Sequence, residues 1–540
     1  MAPSAFVGAS LHIFPVRAMP MTPSPASLDL ALIGNCAISA LVDRHGAMVW
    51  CCMPRFDGDP IFCALLDGDA SLRDAVLAVE LDGCIRSEQA YDASTAVLRT
   101  RLFDVNGEGI EIVDFCPRFM NRDRTFRPAQ IVRRIRPLVG HPRVRLVVRP
   151  RGEWGSAAPE ITRGSNHLRF VLPSGVLRLN TNAPLTYLLD STWFSLQVPI
   201  SLMLGPDETL SGGIEETARD FEEQTALYWR RWTRRLAVPL EWQEAVIRSA
   251  ITLKLCQFEE TGAIVAAMTT SIPEAPDTGR NWDYRYCWLR DAFFVVRALN
   301  SLSEVGTMED YLRWLNDVVR GARGGHVQPL YGIGLEKSLS ERIVPGLAGY
   351  RGMGPVRVGN QAFEHVQHDV YGNIVLGAAQ AFFDKRLFRQ ADLRDFAEIE
   401  GMGEQAWRCH DQADAGMWEL RTRARVHTSS ALMCWAACDR LAKIAVVLGK
   451  PERGAFWRTR AKEIRAKILE RAWSEQRQAF VESFGGSDLD ASVLLMAEVG
   501  LIDPRDPRFV KTVDLLEAAL CDGPFMRRYE APDDFGKPET

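Results

Sequence analysis

Two hydrophobic periods divide this chain. Between residue 27 and about residue 210, runs such as "AISALVD", "AVLRTRLFDV" and "GIEIVDF" alternate apolar and polar positions, broken by "RHG", "DGD", "VNGEG" and "PSG". Alternation puts every second side chain on one face of an extended chain, and the Gly/Asp/Asn clusters supply turns. The stretch therefore predicts an antiparallel β-sandwich, with "GAMVWCCM", "VRLVVRP", "LRFVL" and "LTYLL" as further strands. From about 214 the period becomes helical: "IEETARDFEEQTALYWRRWTRRL" carries charge on one face and predicts a linker helix over 214–235. Beyond Leu236, helix candidates follow near 242–257, 290–304, 307–321, 364–384, 389–411, 429–449, 452–473, 487–498 and 507–520. Helix after helix with little strand between argues for stacked αα-hairpins. The connections 322–363 and 412–428 are too long for simple turns, and long ordered loops on a helical scaffold are where function tends to sit.

With 540 residues the chain is too long for one ordinary core. The expected division is a leader over 1–26, a β-sandwich domain over 27–213, the linker helix over 214–235 and a helical domain over 236–540. Sixty-four basic and 69 acidic residues leave a net charge of −5 without long runs of one sign, which points away from nucleic acid and membrane and toward a neutral substrate. Twelve scattered cysteines with no CxxC pair read as free core thiols, hence a reducing cytoplasm. The leader lacks a basic start followed by a sustained apolar stretch, and no run approaches the roughly 18 apolar residues of a membrane span. It is expected to be disordered, with Met19 and Met21 as alternative starts. Self-association is left open.

Three stretches could carry chemistry. In "RNWDYRYCWLRDAFFVVRAL" (280–299), Trp282, Tyr284, Tyr286 and Trp288 alternate, which in an extended segment puts four rings on one side. Arg290 and Asp291 then open a helix. The group reads either as an aromatic core plug with a capping ion pair, or as a sugar site in which rings pack on a pyranose and the Arg–Asp pair bonds vicinal hydroxyls. In "DAGMWELRTRARVHTSSALMCW", Glu419 beside the Trp418 indole has the setting that raises an acid's pKa by desolvation; the alternative is a surface carboxylate answering Arg421 or Arg423. In "LAGYRGMGPVRVGNQAFEHVQHDVYGN" (347–373), His365 and His368 at i, i+3 make a metal site conceivable, but they read better as ordinary polar helix residues. Arg351, Arg357, Asn360 and Asp369 look like loop-fixing or hydroxyl-binding groups. Glu539, one residue from the end, reads in isolation as a terminal residue of no consequence.

Taken in order, "TTSIPE", "RNWDYRYCWLRDA", "GYRGMGPVRVGNQAFEHVQHDVYG", "MWE" and "DDFGKPET" resemble glycoside hydrolase family 15, the glucoamylase, glucodextranase and trehalase group. "LIGNCAISALVDRHGAMVWCCMPRFDGDPIFCALLD" (32–67) resembles the opening of that family's N-terminal domain. The resemblance spans about Leu32 to Thr540. It implies an antiparallel β-sandwich followed by an (α/α)6 barrel, the barrel incomplete here because family members continue with further helices. It also implies exo-acting, inverting hydrolysis of an α-glucoside or oligosaccharide, releasing glucose with no cofactor and no metal. Carried over by position, Arg290 and Asp291 hold the terminal glucose, Tyr286 and Trp288 line its pocket, Glu419 is the general acid and Glu539 the general base. Tyr284 is expected to keep Glu539 ionised and Trp418 to keep Glu419 protonated. An inverting pair is expected to stand about 6.5–9.5 Å apart. Two other readings remain: an inverting sugar phosphorylase on a similar scaffold, and a carbohydrate-binding or regulatory protein with a dead site.

Overall fold

The computed structural model describes residues 26–68, 75–322 and 325–536. Its first part is two antiparallel sheets packed face to face. One has seven strands, running Ala31–Gly34, Ser39–Val42, Met48–Cys52, Leu77–Leu81, Arg143–Val148 and Phe194–Ser195, with Pro60–Phe62 beside the third. The other has eight, from Glu160–Arg163 at one edge to Cys84–Tyr91 at the other. Leu77–Leu81 and Leu98–Asp104 alternate buried and less buried positions, so Leu77, Val79, Leu98 and Leu102 enter the layer between the sheets with Leu146, Ile112, Ile135 and Leu202. Each such side chain contributes about 1.5–3 kcal/mol by leaving water.

"LTYLL" is not a strand. Leu185–Leu189 forms the short helix α1, because Pro184 stands at its N-cap and Leu185 and Leu188, three apart, are the pair that needs burying. Helix α2 (Ile214–Thr233) lies on the outer face of the eight-stranded sheet, with Ala218 and Ala226 against Val113, Phe115, Val132 and Met203.

The second part is helical: α3 (Gln243–Leu255), α4 (Leu289–Ser301), α5 (Gly306–Ala322), α6 (Asp369–Phe383), α7 (Leu393–Cys409), α8 (Thr428–Val447), α9 (Pro451–Arg471), α10 (Leu495–Glu498) and α11 (Pro507–Leu520). The strands described among them are two or three residues long. Helices α6 and α8 are buried on nearly all sides, whereas α5 and α7 keep a polar face outward, which is the pattern of an inner and an outer layer. Inner helices approach closely: a Cβ at Gly372 of α6 would lie 2.2 Å from the Met433 carbonyl oxygen of α8, so only glycine fits. Helix α6 begins at Asp369 rather than near 364, because the Asp414 carboxylate accepts the His368 N–H at 2.7 Å and residues 361–364 form a separate 3-10 turn capped by Asn360. His365 and His368 therefore do not share a helix face. Within 487–498 only Ala491–Glu498 is helical.

The two parts meet where the chemistry is expected. The long connection after α5 covers the seven-stranded sheet, burying Val344, Leu347, Tyr350 and Val356 against Val49, Trp50 and Cys63. The odd positions of "WDYRY" finish the joint. Asp283 and Arg285 are both fully buried and form a two-pronged pair at 2.8 and 2.9 Å, while Arg285 Nη1 donates to the Gly58 carbonyl at 2.7 Å and its guanidinium lies over Trp154. Arg285→Ala leaves Asp283 buried and unpaired, and should cost about 3–5 kcal/mol of stability in urea denaturation. A loss below 1 kcal/mol, on the order of a surface pair, would show that this joint does not hold the two parts together.

Candidate active site

The stretch 280–299 builds one wall of a cavity of about 380 Å³. Cys287–Trp288 pairs antiparallel with Leu330–Tyr331, and the chain passes from Trp288, the extended N-cap residue, straight into α4. Trp288 is thus fixed by a strand, and Arg290 and Asp291 by the first helical turn, whose positive end favours the carboxylate. Trp282, Tyr284 and Trp288 line the cavity as alternation requires. Tyr286 does not. The chain bends at Tyr286, its ring packs beneath the wall with Trp288, Leu330 and Leu339, and its hydroxyl accepts the Gly359 N–H at 3.1 Å. The uninterrupted extended geometry that grouped four rings fails at that bend.

The loop between α7 and α8 builds the facing wall. Gly416 has φ +67° and stands against His427, where a Cβ would come within 2.7 Å of the ring. Three residues on, Glu419 has φ +62°, a left-handed conformation that costs a non-glycine residue about 1–2 kcal/mol. The turn aims its carboxyl at the first wall. Trp288 Nε1 donates to Glu419 Oε1 at 2.6 Å, Arg290 Nη2 reaches the same oxygen at 3.4 Å, and Arg290 Nη1 donates to the Met417 carbonyl at 2.9 Å. An indole N–H and a guanidinium can only donate, so Oε1 carries no hydrogen and a proton on this acid sits on Oε2.

Glu419 is therefore no surface carboxylate answering Arg421 or Arg423. Arg421 bonds Glu341 and Gln361, and Arg423 donates to the Pro532 carbonyl. Trp418 lines the cavity with Glu419, and its indole N–H donates to Asp490 Oδ2 at 2.8 Å. Asp291 lies 3.3 Å from Arg290, out of line for a hydrogen bond, and its Oδ2 is shielded from water with no hydrogen-bond partner among the described residues. Its side chain as a whole lines the cavity and is 39% exposed, which leaves the carboxylate open to a ligand hydroxyl there.

Other lining residues carry no local signal. Glu274 accepts from the Tyr284 hydroxyl at 2.5 Å, and Arg528 meets it at 3.2 and 3.4 Å. Burial, and next the Glu274 charge, push the Tyr284 hydroxyl's pKa well up. Arg280 donates twice to Asp533, at 2.6 and 3.1 Å, and once to the Gly536 carbonyl at 2.7 Å; against the upward push of burial, this pairing holds Asp533 below the usual carboxylate range. Phe535 packs edge-on to Trp282 with centroids 5.3 Å apart, and the Asp534 carboxylate accepts the Thr422 N–H at 3.2 Å. The segment Arg528–Gly536 is thereby fastened into the cavity wall. Glu539 lies outside the described residues. His365 also lines the cavity, and burial lowers its pKa. Asp369 is buried at the start of α6, where desolvation raises its carboxyl to about 6 against the pull of Arg290. Among the described residues no cluster of three His, Cys, Asp or Glu suits a metal ion.

Residues 242–536 match the family described as Glycosyl hydrolases family 15, and residues 24–183 match Trehalase-like, N-terminal. The chain belongs to glycosyl hydrolases family 15. It is a glycoside hydrolase of the trehalase and glucoamylase kind, a β-sandwich followed by the family's helical fold. Among curated relatives, the trehalase of Mycolicibacterium smegmatis is 30% identical over 556 residues, covering 95% of this chain and 80% of its own. That of Mycobacterium tuberculosis is 30% identical over 545 residues, covering 94% and 78%. That of Thermoplasma volcanium is 28% identical over 510 residues, covering 93% and 80%. A bacterial glucoamylase solved in complex with acarbose superposes with a TM-score of 0.66 at 13% identity, over 94% of this chain and 81% of its own, a likeness of fold.

Proposed function

We propose that this chain hydrolyses α,α-trehalose with inversion at one anomeric carbon, Glu419 acting as general acid and Glu539 as general base. The observation that carries the reading is the Glu419 carboxyl, held at Oε1 by Trp288 and Arg290 so that Oε2 is the oxygen left to carry and deliver a proton. Arg290 and Asp291 grip the hydroxyls of the ring being attacked, with Trp288 and Tyr284 beside it. The Oε2 proton passes to the glycosidic oxygen, the bond from that oxygen to the anomeric carbon breaks, and the second glucose leaves. Glu539 takes a proton from water, whose oxygen closes on the same carbon from the opposite face. Asp533, Asp534 and Phe535, the neighbours of Glu539 that are described, line the same cavity. Trehalose is preferred over a glucan because the similar curated proteins are named trehalases and the N-terminal match is trehalase-like.

The reading includes the division at 27–213, 214–235 and 236–540, and a cytoplasmic setting in which the cysteines stay as the free thiols seen here. Among the described residues no helix is long and apolar enough to cross a membrane. The test is glucose release from trehalose, maltose, isomaltose and dextrin, with and without phosphate. Rapid release from trehalose alone is expected. Glucose 1-phosphate formed only with phosphate would make the protein a phosphorylase, and no turnover of any of the four would make it a binding protein.

Asp291→Asn keeps the helix and removes the charge from the hydroxyl acceptor. A charge-assisted bond is about twice as strong as a neutral one, so kcat/KM should fall roughly 10-fold, as for a loss of about 1.4 kcal/mol. Unchanged kinetics would show that Asp291 only caps α4.

A further inference from the structure

We infer that Asp414 is the positioning residue of the general acid, its carboxylate fixing the turn that carries Glu419 to the starts of two buried helices. Asp414 does not line the cavity, and its side chain is fully buried. A carboxylate in that setting is costly unless donors answer it. Three donors do so. Oδ2 accepts the His368 N–H at the N-cap of α6 and the Ser430 hydroxyl in the first turn of α8, both at 2.7 Å, and Oδ1 accepts the Gly416 N–H at 3.2 Å. The positive ends of both helices favour the charge.

From that anchor the backbone leads directly to Glu419. Asp414 and Arg425 exchange N–H···O bonds at 2.9 and 3.1 Å, which closes the neck of the loop, and the Ala415 N–H donates to the Val366 carbonyl at 3.0 Å. The carbonyl of Gly416, whose N–H Asp414 holds, accepts the Glu419 N–H at 3.1 Å, and that of Ala415 accepts the Leu420 N–H at 3.2 Å. The turn 416–419 thus hangs from one carboxylate. Both its ends have positive φ, +67° at Gly416 and +62° at Glu419, and a non-glycine residue keeps such a backbone only where its surroundings impose it. Helices α6 and α8 are buried on nearly all sides, so the frame that Asp414 grips is rigid, and groups tied to helices are placed more precisely than groups on free loops. An asparagine here would offer one acceptor oxygen and an NH2 that cannot accept, so either the Gly416 N–H or the His368 N–H would face another donor. The turn then shifts, and Oε2 of Glu419 shifts with it relative to the glycosidic oxygen. A displacement of about 1 Å can cost about 10²-fold in rate.

The inference rests on Glu419 as the general acid, and the test separates the two. In Asp414→Asn, kcat on trehalose should fall roughly 10- to 100-fold, with KM changed far less because Arg290 and Asp291 stay on α4. α-Glucosyl fluoride, whose leaving group needs no proton, should be turned over at close to the parent rate. General damage to the fold would lower both activities together by lowering the folded fraction. With Glu419 established as the acid, equal losses on the two substrates, or none on trehalose, therefore overturn the inference. A double-mutant cycle needs no such premise. A residue that acts through Glu419 has nothing left to do in Glu419→Gln, so adding Asp414→Asn to that variant should lower its trehalose activity by less than about 2-fold. Losses that multiply overturn the positioning role. If Glu419→Gln itself falls equally on both substrates, the acid reading fails and the cycle alone decides Asp414. If the parent protein cleaves maltose and not trehalose, the same comparisons are made with maltose. Should Asp414→Asn not fold, Ser430→Ala strips one donor from the same carboxylate and leaves α8 intact. It should show the same selective loss at roughly 5-fold, the worth of one hydrogen bond, and unchanged trehalose turnover in it overturns the inference.

Discussion

Glu419→Gln lowers trehalose hydrolysis by about 10³–10⁴-fold, the upper range for removing a general acid. The substitution is nearly isosteric, and the amide oxygen can still accept from Trp288 Nε1, so the loss comes from the missing Oε2 proton rather than from a collapsed loop. A glucose alkoxide is a poor leaving group and needs that proton as the bond breaks. Fluoride leaves without one. The same variant should therefore keep most of its activity on α-glucosyl fluoride, and circular dichroism should show unchanged helix content. Equal losses on both substrates would mean that Glu419 positions the ring and another group supplies the proton. Full activity on trehalose would remove Glu419 from the mechanism.

The sequence carries those parts of the site that are local. Trp288, Arg290 and Asp291 lie within four residues, and the step from extended chain to helix that aims them is visible in the alternation and in the apolar run that follows. The succession of helices and the alternating strands were legible for the same reason, since burial writes its period into neighbouring positions. What was missed depends on distant partners. Glu274 and Arg528 are 254 residues apart, and nothing near either indicates the other. Helix α6 starts five residues late because of Asp414, 46 positions away from His368. Tyr286 was misplaced by carrying a period of two through a bend, and "LTYLL" by reading a short apolar run as strand when Pro184 and a spacing of three favour a turn of helix. The indole N–H of Trp418 likewise finds a distant acceptor, Asp490, 72 residues on.

Glu539→Gln should lower activity by about 10²–10⁴-fold on trehalose and on α-glucosyl fluoride alike, because either substrate needs an activated water. This pattern, set against that of Glu419→Gln, assigns the two roles. Stereochemistry gives an independent check, since only one of the two trehalose anomeric carbons is attacked. Inversion there yields one β-glucose, while the departing glucose keeps its α configuration. Proton NMR within the first minutes should therefore show α- and β-glucose in equal amounts, before mutarotation obscures them. A retaining enzyme would give α-glucose alone, and with it a carboxyl pair about 5–5.5 Å apart instead of 6.5–9.5 Å. Glu539→Gln with full activity would move the base to another carboxylate of the cavity. The candidates there are Asp533 and Glu274, each engaged by an arginine and a tyrosine hydroxyl, and Asp534, held by the backbone of Arg421 and Thr422, and the corresponding amide substitution at each would then find the base.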